Sequence, residues 1–182
     1  MGTLNRTTIS GADEGFTLIE LLIVVAIIGV LAAAAIPGLR RAWMSANEAS
    51  AIGSMRAISS AQTSYAAVAA HGGFATGLVA LAAACPGSDT GFISPDLSSD
   101  PATKSGYTVT LMASAASIPS TNDCNGAATA TGYYATAVPL AAAFSGQRAF
   151  ATTAGGSIFV DNSGAPPTEA QMAAGGGGTP LR

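Results

Sequence analysis

From Phe16 to Ile36 the chain is apolar at almost every position; Thr17, Glu20 and Gly29 are the exceptions. Gly15 stands immediately before this run, with Asp13 and Glu14 ahead of it, and Pro37, Arg40 and Arg41 follow it. As a helix the run spans about 31 Å, close to the ~30 Å hydrocarbon thickness of a bilayer. Beyond Pro37 the pattern changes to steps of three and four residues: Leu39, Trp43, Ala46, Ala49, Ile52, Met55, Ser59, Gln62, Tyr65 and Ala69. That spacing predicts an amphipathic helix with Arg40, Arg41, Glu48 and Arg56 mostly off its inner face. The two patterns join into one helix of about 55 residues, from Phe16 to about Ala70. His71-Gly72-Gly73 ends it with a glycine breaker, and Pro37, which lacks an amide donor, is expected to kink it.

The remainder alternates between turns and short strands. Thr76 to Ala84 predicts a short helix, and Ser88 to Lys104 is rich in turn residues. Tyr107–Leu111, Tyr133–Val138, Arg148–Thr152 and Ser157–Val160 read as strands, with Ala154-Gly155-Gly156 turning between the last two. Ile118 to Gly132 reads as a polar loop holding Cys124, and Gly175 to Gly178 as a mobile tail. The predicted fold class is α+β: one long N-terminal helix packed against a small antiparallel sheet of three to four strands.

Composition sharpens this picture in three ways. The chain of 182 residues is 49% hydrophobic but only 6% aromatic, with much of the apolar fraction alanine, so its core is thin for its length. The net charge is −3, and from Gly72 onward only Lys104, Arg148 and Arg182 are basic, against six acids. Such a surface offers little to a phosphate backbone, and no nucleic-acid partner is indicated. Cys85 and Cys124, the two cysteines, either pair in an oxidising compartment or remain as two buried thiols.

The apolar run admits three readings: a transmembrane anchor, a secretory signal cut in Ala33-Ala34-Ala35 to leave a mature chain beginning at Ile36, or a buried soluble helix. Glu20 speaks against a plain anchor and against a signal sequence, because a carboxylate in a lipid or apolar environment is costly unless it has a partner.

GFTLIELLIVVAIIGVLAAAAIP, Gly15 to Pro37, resembles the class III signal of type IV pilins and type II secretion pseudopilins. The leaders of that family place Lys or Arg before the glycine, where this chain has Asp13 and Glu14. The resemblance implies cleavage between Gly15 and Phe16 by prepilin peptidase and N-methylation of Phe16. It also implies an assembly and register role for Glu20, paired with the Phe16 amine of a neighbouring subunit, and helix-breaking positions at Gly29 and Pro37. The implied organisation is a leader over 1–15, a membrane and filament-core half-helix over 16–36, an amphipathic half over 37–70, and a globular head over 71–182. The implied partners are further copies of the chain in a homopolymer, the peptidase, an inner-membrane platform and an assembly ATPase.

No catalytic constellation accompanies these features. His71, the single histidine, sits at a helix end, which suits capping or solvent. Asp161-Asn162-Ser163-Gly164 lacks the further acids of a calcium loop, so no metal and no cofactor are expected. The expected function is that of a structural subunit, not an enzyme. The precursor would sit in the inner membrane and the product would be a surface filament. A periplasmic pseudopilus subunit and a single-pass anchored binding module are the alternatives.

Overall fold

The computed structural model describes residues 15–174 and 178–181. Leader positions 1–14, with Asp13 and Glu14, lie outside the described residues, as do three glycines of the expected tail, 175–177. The chain forms two compact units, Met1–Leu39 and Arg40–Arg182. One helix, α1 (Leu18–Val68, 51 residues), contributes to both, with Gly29 and Pro37 inside it.

In the first unit the helix is apolar on all sides. Its apolar stretch is long enough to cross a bilayer, and none of it is buried. Gly29 has open space around it, so nothing in this unit requires a missing side chain there.

In the second unit the helix meets β-structure. The strands are β1 (Phe74–Ala75), β2 (Ala102–Lys104), β3 (Tyr107–Ala113), β4 (Pro119–Ser120), β5 (Thr129–Ala130), β6 (Tyr133–Pro139), β7 (Ala149–Thr153), β8 (Ile158–Asp161) and β9 (Thr179–Pro180). Two short helices, α2 (Leu78–Ala82) and α3 (Glu169–Ala173), complete the set. Six strands form one antiparallel sheet in the order β2-β3-β6-β7-β8-β9, and β1-β5-β4 form a second, smaller one. The four strands read from the sequence are the adjacent central strands β3, β6, β7 and β8. The sheet is wider than expected because two short pieces extend its edges. β2 pairs Ala102–Lys104 with Tyr107–Val109, and β9 pairs Thr179–Pro180 with Phe159–Val160. Neither carries an alternating apolar pattern long enough to announce a strand.

Alternation places Tyr107, Val109 and Leu111 on the buried face of β3. They join Ala135, Ala137, Phe150, Ile158 and Val160 against the helix residues Ala51, Met55, Ile58, Ala61 and Tyr65. The alanines let helix and sheet approach closely, while Tyr65, Tyr107, Tyr133 and Phe150 fill the volume. A ring of this size buries 150–250 Å², so at ~25 cal/mol per Å² each contributes at most roughly 4–6 kcal/mol. Close approach also fixes Gly146, where a Cβ would overlap the Tyr107 ring and hydroxyl.

The inner face of the helix corrects the sequence reading. Met55, Gln62, Tyr65 and Ala69 are buried as expected, whereas Trp43 and Ala49 are exposed, and Glu48, Ala51, Ser54 and Ile58 take the inner positions. Small residues populate both stripes, so periodicity alone could not choose between them. Glu48, placed outside by the apolar pattern, is held inside by Arg148.

Helix α1 ends where the glycines predict. His71 and Gly72 both adopt positive φ, 51° and 94°, and the Gly72 amide donates to the Ala66 carbonyl at 2.8 Å. Just beyond, the buried Gln62 amide donates to the Ala75 carbonyl (2.8 Å) and its oxygen accepts from the Ala75 amide (2.9 Å). A helix side chain thereby stands in for a neighbouring strand of β1.

Candidate assembly site at the N-terminal helix

Gly15, Phe16 and Thr17 precede the helix and have no regular secondary structure; Phe16 is 78% exposed, and a Cβ at Gly15 would meet nothing among the described residues. Both residues of the Gly15–Phe16 bond are exposed among the described residues. The helix then begins with a reciprocal arrangement. The Glu20 amide donates to Thr17 Oγ1 at 3.3 Å, while the Thr17 hydroxyl (3.2 Å) and amide (3.5 Å) donate to Glu20 Oε2. With Thr17 at the cap position and Glu20 three residues on, this is a capping box. The sequence reading missed it, although Thr17-Leu18-Ile19-Glu20 carries the Thr-x-x-Glu signature.

Among the described residues no cation pairs with Glu20; the two ion pairs are Lys104–Asp96 and Arg148–Glu48. Its partners are its own first turn. Leu18, Leu22, Val25 and the other apolar residues as far as Ile36 are exposed. A surface this apolar is stable only in lipid or against other protein. The helix therefore fits a membrane-anchored precursor.

Two polar clusters fasten the second half of the helix to the head. Glu48 accepts from the Arg148 guanidinium (Nη2 at 2.7 Å, Nε at 2.8 Å) and from the amides of Gln147 (2.9 Å) and Arg148 (3.2 Å). Burial alone would push its carboxyl up. Those amides and the guanidinium outweigh burial and hold it below the usual carboxylate range. At the other end, the Tyr65 hydroxyl donates to Asp123 Oδ2 at 2.6 Å, and Asp123 Oδ1 accepts the amides of Asn125 (2.9 Å) and Ala127 (2.7 Å). Burial pushes the Asp123 carboxyl up as well, and its hydrogen bonds pull it down further than burial raises it.

A disulfide joins Cys85 to Cys124, with Cα atoms 5.6 Å apart. The Cys124 amide donates to the Ala69 carbonyl at 2.9 Å, so the crosslinked loop is tied to the end of α1. His71 is exposed at that end. The Asp161 carboxylate accepts the Ser163 amide at 2.7 Å within its own turn. Among the described residues no group of three or more His, Cys, Asp or Glu is placed to hold a metal.

Residues 12–36 match the family described as the prokaryotic N-terminal methylation motif. The chain carries the class III signal of type IV pilins and pseudopilins, on an α+β fold with one long N-terminal helix. The motif points to a structural subunit and implies, in general terms, prepilin peptidase processing and filament assembly. No curated protein and no solved structure matches the chain.

Proposed function

We propose that this protein is the subunit of a type IV pilus-like surface filament. The peptidase cuts between Gly15 and Phe16, the new Phe16 amine is methylated, and the helix from Phe16 moves from lipid into a bundle of its copies. The observation that carries this reading is Glu20: a carboxylate in the first turn of a bilayer-length apolar helix, with no cation paired to it among the described residues. In a water-poor bundle an amine from a neighbouring Phe16 stabilises it, while an unmatched carboxylate is costly. Register between subunits follows from that pairing. Lipid tails are as apolar as leucine, so packing must supply the rest, and Ala32 to Ala35 allow close helix approach.

The test is to express the full chain with its peptidase and assembly machinery, shear the cells, and label the released material with antibody against the head. Decorated surface filaments are the expected result. Short, envelope-retained assemblies formed only on overproduction would replace the pilus reading with a pseudopilus one. An unpolymerised membrane protein would end both.

A further inference from the structure

The turn between β6 and β7 presents an apolar tip beside Arg40, the first residue of the second unit. Leu140-Ala141-Ala142-Ala143-Phe144 carries no charge, and Leu140 and Phe144 are 58% and 67% exposed. Exposure here is built in. The amides of Phe144 (3.1 Å) and Ser145 (2.9 Å) donate to the Ala141 carbonyl, Ala143 adopts a φ of 64°, and the Asn47 side chain donates to the Ser145 carbonyl at 2.9 Å. The Arg40 guanidinium lies over the Phe144 ring at 4.6 Å. Arg40, Trp43 and Asn47 share one stripe of the helix by their spacing of three and four residues, and Trp43 is 62% exposed.

Trp43 and Phe144 are the exposed aromatic residues among the described residues of the second unit. Within that unit Trp43 lies three residues after its first residue, Arg40, and Phe144 lies under the Arg40 guanidinium. Arg40 lies four positions beyond Ile36, an advance of about 6 Å at helical rise and at most ~14 Å fully extended. The polar layer on each side of a bilayer is itself about 5–8 Å thick. Arg40 and Arg41, neither in an ion pair among the described residues, are therefore delivered to headgroup depth. Aromatic rings that are half apolar and half wet favour that depth, and a basic pair there complements anionic phosphates.

We infer that the Leu140–Phe144 turn, with Trp43, Arg40 and Arg41, is a membrane-interface foot that seats the head of the precursor on the surface of an anionic bilayer. The inference rests on the reading of Phe16–Ile36 as a membrane span. On extraction the foot leaves the lipid together with the span, and its apolar tip becomes free for burial elsewhere.

The protein's single tryptophan allows a direct test. In a Trp43→Phe, Phe144→Trp double variant the turn holds the only indole. The full-length chain is reconstituted at low density in phosphatidylethanolamine–phosphatidylglycerol vesicles containing lipid brominated either near the headgroup or near the chain end. The expected result is blue-shifted emission quenched more by the shallow label than by the deep one, and unchanged as the protein-to-lipid ratio is varied. A chain that floats with the vesicles but emits as in water, unquenched by either lipid, overturns the foot and leaves the span intact. Emission that shifts only as subunits are crowded overturns it in favour of a second copy as the covering surface. Failure to float removes the span, and with it this inference. Leu140→Trp in the Trp43→Phe background reads the same turn from a second position, and mass measurement of the Cys85–Cys124 crosslink reports whether each variant has folded.

Discussion

Glu48 and Arg148, 100 residues apart in the chain, meet through two contacts of 2.7 and 2.8 Å between the helix and the entry to β7. The same carboxylate accepts two backbone amides, so it organises the whole turn from Gln147 to Arg148. Its side chain is 10% exposed and that of Arg148 38%. Solvent reaches the guanidinium and weakens the pair below a fully buried one.

Glu48→Ala leaves two amides and a guanidinium without their acceptor. The expected cost is about 2 kcal/mol, in the range for hydrogen bonds to a charged group. For a chain of this size that lowers the melting temperature by about 4–8 °C. Near-ultraviolet circular dichroism of the full chain in detergent reads it, and an unchanged midpoint would show that the Glu48–Arg148 pair contributes nothing to stability.

Acid should weaken the head through Glu48 and Asp123 together. Both carboxyls are held below their unfolded values of about 4.3 and 3.9. A depressed folded value means that the stabilisation is complete above the unfolded pKa and is lost as pH falls through the folded one. Stability should therefore be flat above about pH 5 and decline below pH 4. Tyr65→Phe removes the hydroxyl donated to Asp123, and the gap between variant and wild type should narrow as Asp123 protonates. Urea midpoints measured from pH 7 to pH 3 show this; a gap constant across that range would contradict it.

The Cys85–Cys124 bond closes a loop with a sequence separation of 39. On the chain-entropy account this stabilises the head by roughly 4 kcal/mol. Dithiothreitol should lower the melting temperature of the wild type and leave a Cys85→Ser, Cys124→Ser variant unaffected. Equal midpoints with and without reductant in the wild type would show that the crosslink contributes nothing.

What could be read in advance and what could not have separate physical causes. The helix, its stop at His71-Gly72, and strands β3, β6, β7 and β8 declare themselves through local pattern, and so does the Gly15–Pro37 motif. Glu48 could not be placed that way, because its burial depends on an arginine that is neighbouring only after folding. Gln62 likewise looks like an ordinary polar residue of the helix until β1 comes to lie against it. The strand β9 and the helix α3 follow a polar stretch with little apolar pattern. Even so, Thr168 and Gln171 form a capping box whose Thr-x-x-Gln signature was visible in the chain.

The capping box at the start of α1 separates two roles for Glu20. Glu20→Gln keeps an oxygen able to accept from Thr17 but removes the charge; Thr17→Ala keeps the charge and breaks the box. If Glu20 acts in assembly by pairing with an amine, Glu20→Gln should insert normally and yield few or no filaments, while Thr17→Ala assembles. Sheared-filament yield, normalised to membrane-inserted protein, distinguishes them. The opposite ranking would reduce Glu20 to a helix cap.

The central claim is that the working protein begins at Phe16, and intact-mass spectrometry of the chain from a sheared cell-surface fraction tests it most directly. The account predicts an abundant species starting at Phe16 and carrying one added methyl group. A surface species starting at Ile36, or one that retains the leader through Gly15, would contradict it.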